Sequence, residues 1–228
     1  MSIETKTFPM LCETYNKISQ QAYEEYTESI IYLKSLGCAY WDFLEHTEEE
    51  NAKYMSAMQD RERSALTAIV FQALAIESFV NLLGVQRIGE EVYYSEYETK
   101  GSTTLEKLKK ICKEFLKKPY PTNDKDYSML TSLLKKRDLI VHTKPRTVSI
   151  DGEAISYEEF MSQTEYIHKN ICEEIKSYEN LKRKLAMLEG KEIDLIQENY
   201  QELIKCLSDN IIEMIFKATV GNRESDAN

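Results

Sequence analysis

Apolar residues recur every three to four positions along most of the chain, which is the spacing of one buried helix face. Between 10 and 36 the repeat runs Leu11, Tyr15, Ile18, Ala22, Tyr26, Ile30 and Leu33, and Gly37 supplies a stop. Thr47 followed by Glu48, Glu49 and Glu50 reads as a capping box with an acidic first turn. The helix it opens should pass a kink near 60, run through the apolar window LTAIVFQALAIESFVNLL (66–83) and end at Gly84. A tyrosine-rich loop, EEVYYSEYETKG, follows. Ser102 or Thr103 then opens a basic amphipathic helix with Leu105, Leu108, Ile111, Cys112 and Phe115 on one face. Lys118-Pro119 and Tyr120-Pro121 break it. Asp124 or Asp126 opens the next helix, DYSMLTSLLKKRDLIVH, which Pro145 must terminate. The alternation around Asp151-Gly152 marks the one candidate strand pair, a short β-hairpin near 147–156. Two last helices, 156–188 and 191–218, suit a hairpin turning at Gly190. In the first of them Phe160, Ile167, Ile171, Ile175, Tyr178, Leu181, Leu185 and Leu188 are expected to fill the core. The pattern predicts an all-α protein, a single bundle of about six helices. Residues 1–59 form an N-terminal helical extension packed on the core, 60–220 the bundle, and 221–228 a disordered tail.

Composition sharpens this picture. The chain has 228 residues with only seven Gly and four Pro, too few for a turn-rich sheet fold. Charged residues at 30% and apolar residues at 42% fit a soluble globular protein. The window 66–83 could just cross a bilayer by length. Gln72, Glu77, Ser78 and Asn81 interrupt it, and a charge at mid-membrane costs about 2.5–3.5 kcal/mol. A buried core helix is the better reading, and no membrane partner is expected. The five cysteines, at 12, 38, 112, 172 and 206, are scattered singly, which fits neither a zinc site nor a secreted disulfide framework. The start MSIETKTFPM lacks a signal-peptide pattern, so a cytoplasmic address is expected. Phosphate-loop, zinc-helix and nucleophile-elbow motifs are missing from the sequence, and neither cofactor nor metal is expected.

Charge introduces the chemistry. The net charge is −10, yet residues 100–146 hold 13 Lys/Arg against 5 Asp/Glu while the remainder holds 16 against 34. One concentrated basic segment in an acidic protein points to a directed anion site, although a Lys-rich stretch such as LEKLKKICKEFLKK also suits a plain solvated helix face. Of the three histidines, His46 and His168 sit among acidic residues and read as solvated. His142 ends a helix within the basic segment, in LLKKRDLIVHTKPR. Asp138 lies four residues before it, about 40° away around a helix, close enough for its carboxylate to orient the imidazole. Arg137 lies about 140° from His142 at 3.6 residues per turn. The two could flank one groove if the last turn unwinds, or meet across a two-fold axis in a second copy. A guanidinium holds phosphate oxygens and an imidazole exchanges protons near neutral pH. Together they are the parts for cleaving RNA, with Lys135, Lys136, Lys144 and Arg146 guiding the backbone. Tyr93, Tyr94, Tyr97, Tyr120 and Tyr127 could stack on unpaired bases. The plainer alternative is a helix that ends in His because a cation suits its C-terminal dipole.

The string Arg137-Asp138-Leu139-Ile140-Val141-His142 resembles the R-x4-6-H motif of the HEPN superfamily, and ALAIESFVNLLG resembles that family's first core helix. The likeness covers about residues 60–190. It implies a metal-independent endoribonuclease of toxin–antitoxin or antiviral defence type, working as a homodimer on single-stranded RNA or tRNA. An antitoxin or another defence-system protein would be its partner. By this resemblance Arg137 and His142 are catalytic and Asp138 supports them. Glu77 and Asn81 join Lys136, Lys144 and Arg146 as the substrate-binding set, the alternative for Glu77 and Asn81 being a structural role, bonding across the bundle near the site. One toxin branch carries a tyrosine two residues after the histidine, where this chain has Lys144, so neutralisation by modifying that tyrosine is not expected. The family also contains non-catalytic modules that bind a protein or a nucleotide, which is the alternative function.

Overall fold

The structure, a computed structural model, describes residues 8–37, 42–98, 101–142 and 157–190. All regular structure in these residues is helical and none is strand, as the periodicity predicts. The elements are α1 (Phe8–Ser35), α2 (Glu48–Ile88), α3 (Glu90–Tyr93), α4 (Thr104–Ile111), α5 (Lys125–His142), α6 (Tyr157–His168), α7 (Ile171–Glu174) and α8 (Ser177–Glu189). Two π-helical turns, Tyr94–Glu98 and Cys112–Leu116, follow α3 and α4. Residues 1–181 form one compact unit and 182–228 a second, of which the described part is the end of α8. The candidate hairpin at 147–156, the helix expected at 191–218 and the tail lie outside the described residues.

The frame is built around α2. Its start is the expected capping box: Glu50 N–H donates to Thr47 Oγ1 at 3.2 Å, and Thr47 N–H donates to the Glu50 carboxylate at 2.8 Å. Further on, Ala65, Ala68, Ile69, Ala73, Ile76 and Val80 are completely buried. The small alanines let α1 approach closely and run antiparallel to α2, with Tyr15 against Phe71 and Ser19 Oγ donating to the Ala68 carbonyl at 2.8 Å. Three of the four polar interruptions of the apolar window are engaged with other parts of the fold. Gln72 donates to the Ile175 carbonyl at 2.6 Å, Glu77 pairs with Arg137, and Asn81 accepts from the Tyr93 hydroxyl at 2.6 Å. The window is therefore the core stretch of a long helix. α2 runs as one helix across 59 and 60, so no break in the backbone marks the boundary expected there.

Three local expectations are corrected. First, Gly84 does not end α2, which continues to Ile88 and stops at Gly89, whose φ is 92° and whose N–H closes on the Val85 carbonyl. Gly84 is instead the point of closest approach to Tyr93, where a Cβ would lie 2.2 Å from ring atom Cε2. Second, the tyrosine-rich loop is helical: it forms α3 and a π turn, and the buried rings of Tyr93 and Tyr97 stack at 5.4 Å. Third, the helix expected over 156–188 is broken twice. Asn170 adopts a left-handed φ of 60° between α6 and α7, and Ile175–Lys176 separates α7 from α8. Breaking a helix frees carbonyls that must find donors when buried. Here Lys136 Nζ reaches the carbonyls of Ile167 (3.1 Å) and Lys169, while Gln72 and Gln20 reach that of Ile175.

Candidate active site around Arg137

Asp124 caps α5 by accepting from the Tyr127 N–H at 2.9 Å. Leu130, Leu133 and Leu134 form the buried stripe that fixes the helix against its neighbours. Beyond the exposed Lys135, two adjacent cations point to different fates. Lys136 is completely buried, 2.7 Å from the Glu174 carboxylate, with its remaining protons on the two carbonyls at the α6–α7 break. The expected role of Lys136 in binding substrate is thereby corrected: its ammonium faces inward and holds the fold. Arg137, one position on, rotates to the edge of the core and keeps 19% of its side chain exposed.

Its guanidinium lies between two carboxylates. Glu77 of α2 pairs with it directly, and Asp138 stands 3.3 Å away with 61% of its side chain in solvent. Glu77 also accepts from the hydroxyl of Thr104, the first residue of α4, at 3.2 Å. One carboxylate thus ties α2, α4 and α5 together at the arginine. The buried Nε of Arg137 has no hydrogen-bond partner among the described residues. Asn81, one turn beyond Glu77, has its carbonyl oxygen occupied by the Tyr93 hydroxyl and by Lys107 Nζ at 3.4 Å. It acts as a bracket behind the site.

His142 is the last residue of α5 and is exposed. The helix stays regular up to it, so the arginine and histidine diverge by about 140° and stand roughly 7.5 Å apart along the axis. The unwinding that could have joined them within one chain does not occur. Nor does a hydrogen bond join Asp138 to His142 among the described residues; the contact Asp138 makes is with Arg137. Lys135 is exposed on the same helix, and Lys144 and Arg146 lie outside the described residues. The structure therefore brings together Arg137, Asp138 and Glu77, places His142 one turn away on another face, and removes Lys136.

The tyrosines are also re-sorted. Tyr93, Tyr97 and Tyr120 are buried and closed to bases, whereas Tyr94 is exposed. Burial pushes the Cys112 thiol up to about 11, which makes it a packing residue and no nucleophile. Among the described residues no group of three His, Cys, Asp or Glu has the spacing of a metal site.

The sequence reading missed His168, which is not a solvated histidine. Its ring stacks on Tyr26 at 5.5 Å, its Nε2 lies 2.8 Å from the Glu62 carboxylate, and Arg61 closes the group at 2.6 Å from the same carboxylate. Burial tends to raise the Glu62 pKa, but its bonds to His168 and Arg61 outweigh burial and hold it below the usual carboxylate range. The three helices that meet there are far apart in sequence, so only the hydroxyl-aromatic residue at 26 and the adjacent pair at 61–62 could have hinted at it.

The fold and site define an all-α protein with an arginine held between carboxylates on a helix that ends in histidine. No family model matches the sequence, and neither curated proteins nor solved structures show a match to it.

Proposed function

We propose that the protein is a metal-independent endoribonuclease of HEPN type, a cytoplasmic toxin or antiviral defence effector acting as a homodimer. The observation that carries this reading is the setting of Arg137: partly exposed, positioned from behind by Glu77, and fronted by a solvent-facing Asp138 that a phosphate can displace. In the reaction His142 takes the proton of a ribose 2′-hydroxyl, whose oxygen attacks the adjacent phosphorus. Arg137 stabilises the charge gathered on the phosphoryl oxygens. The bond from phosphorus to the 5′ oxygen breaks as that oxygen takes a proton from water, giving a 2′,3′-cyclic phosphate and a 5′-hydroxyl, and the His142 imidazolium returns its proton to solvent. Because the two residues diverge on a regular α5, the reading places Arg137 of one copy opposite His142 of the other.

The test is cleavage of total RNA and tRNA in EDTA by wild type, Arg137→Ala and His142→Ala. General acid–base catalysis and charge stabilisation each contribute about 10²–10³-fold or more, so each variant should lose at least that much. Variants as active as wild type would overturn the site. Expression offers a cheaper check: the wild-type gene should be harder to produce than the His142→Ala gene.

A second reading, a non-catalytic helical module that binds a partner protein, is favoured by the turn between α1 and α2. Leu44 is 94% exposed there, next to the exposed Phe43, and adjacent exposed apolar side chains mark interaction surfaces. It predicts an RNA-inert wild type and loss of partner binding in Phe43→Ser/Leu44→Ser.

A further inference from the structure

Four lysines follow one another along α4 and its π turn, whereas other lysines without an ion pair among the described residues, such as Lys17 and Lys34, lie apart in the sequence. Elsewhere Lys53, Arg61, Arg63, Lys125, Lys136 and Arg137 each stand within 4 Å of a carboxylate. On α4 and its π turn, Lys109, Lys110, Lys113 and Lys117 form no ion pair among the described residues, and three of the four are exposed. Two of them lie over aromatic faces, Lys110 at 3.9 Å from the Tyr97 ring centre and Lys109 at 4.9 Å from that of Tyr127. A cation held on a ring keeps its full charge and its donors toward solvent.

The acids of the same segment are meanwhile engaged within the fold. Glu106 closes the capping box on Thr103, Glu114 accepts from the Tyr97 hydroxyl, Asp124 caps α5, and Asp126 accepts from Asn180. Lys109 and Lys113 are four residues apart and therefore neighbours on the helix surface, and Lys117 follows where the π turn ends. The helix that carries the row begins at the candidate site, where Thr104 is bonded to Glu77, the carboxylate that holds Arg137, and the row runs from there along α4, with Lys109 five residues, about 7.5 Å, further on.

We infer that the exposed α4 row Lys109–Lys113–Lys117 is a binding track for the phosphate backbone of single-stranded RNA, leading to Arg137. The inference rests on the endoribonuclease reading for its ligand and deepens it by naming where the strand lies. Tyr93, Tyr97 and Tyr120 are buried and offer no ring to a base, while the exposed Phe115 and half-buried Tyr127 beside the row can stack on any base, so binding is insensitive to base identity. It is also salt-dependent, since each neutralised phosphate of a single strand releases about 0.7 of a counterion.

The test measures binding of a fluorescein-labelled 2′-O-methyl oligouridylate of twenty nucleotides, which carries the backbone charge but no 2′-hydroxyl to attack. Full-length wild type is compared with Lys109→Gln/Lys113→Gln/Lys117→Gln and with a control, Lys17→Gln/Lys34→Gln/Lys53→Gln, on the α1–α2 hairpin. The expected result is a slope of log affinity against log salt reduced by about 2 in the α4 variant. Affinity near 0.1 M salt should fall tenfold or more, with the control unchanged. Equal affinity and slope in the α4 variant, an equal loss in the control, or no binding by wild type overturns the track. So does an α4 variant whose only change is in its oligomeric state, which would assign the face to a second copy. If the track binds as expected while unmodified RNA is left uncut by wild type, the track stands and the nuclease reading falls.

Discussion

At the scale of single residues, neighbouring cations on one helix are put to opposite uses by a rotation of about 100°. Lys136 faces inward to Glu174 and to two orphaned carbonyls, whereas Arg137 reaches the edge of the core between Glu77 and Asp138. Removing one member of a buried pair leaves the other charged and unsatisfied, at a cost of about 3–5 kcal/mol. Lys136→Ala should therefore unfold at a much lower urea concentration than wild type. Lys136→Met/Glu174→Leu should recover only part of the loss, since the Ile167 and Lys169 carbonyls still lack a donor. A Lys136→Ala variant within about 1 kcal/mol of wild type, against the 3–5 kcal/mol expected of a buried pair, would mean that this ammonium reaches solvent. The Glu62–His168–Arg61 group makes a second residue-level claim. Glu62 has its folded pKa depressed, so the stability it contributes is present above its unfolded value near 4.5 and is lost as pH falls through the folded value. Glu62→Gln should be less stable than wild type at pH 5.5, with the gap closing toward pH 3. Thermal melts across that range would show it, and a gap of constant size would contradict the linkage.

Among the elements, α2 shows how one local pattern can carry two meanings. Gly84 follows an apolar run as a helix-ending glycine would, yet the helix passes through it because the Tyr93 ring occupies the space of a side chain. By helix propensity alone Gly84→Ala should stabilise by about 1 kcal/mol. The contact at 2.2 Å reverses the sign, and overpacking of this kind costs about 1–3 kcal/mol. In a Tyr93→Leu background the same substitution should be neutral or favourable, which a double-mutant cycle in urea would measure. A stabilised single variant would mean that the ring moves aside freely. The same contrast explains what the sequence discloses about the fold. The all-α class, the helical repeat of α1 and the capping box at Thr47 are local, fixed by periodicity and by residues three apart, and of the two openings offered for α4 the structure takes Thr103. The passage of α2 through Gly84 and the breaks at Asn170 and Ile175 involve Tyr93, Lys136 and Gln72, partners that approach only after folding. The site divides likewise: Arg137, Asp138 and His142 are visible as a short string, but the Arg137–Glu77 pair joins positions 60 residues apart and the burial of Lys136 depends on α7.

For the whole molecule, the regularity of α5 turns a question of side-chain geometry into one of assembly. Arg137 and His142 leave the same straight helix on different faces, so one chain does not direct both at a single phosphate. A two-fold pairing of α5 with α5 would supply them from opposite copies, and symmetry would then create two equivalent sites. This has a consequence that no single-chain site shares. In a heterodimer of Arg137→Ala with His142→Ala, one site loses both groups while the other keeps an intact arginine from one copy and an intact histidine from its partner. Equal mixing with subunit exchange makes about half of the dimers hetero, each with one working site of two, so activity should return to roughly a quarter of wild type. The measurement is RNA cleavage in EDTA by each variant alone and after co-refolding, with the dimer fraction followed by sedimentation. Recovery toward a quarter establishes a site shared between copies. A mixture as inactive as its parts, while dimers are present, assigns Arg137 and His142 to separate tasks within one chain, leaving the arginine between its two carboxylates as a structural tie between α2 and α5.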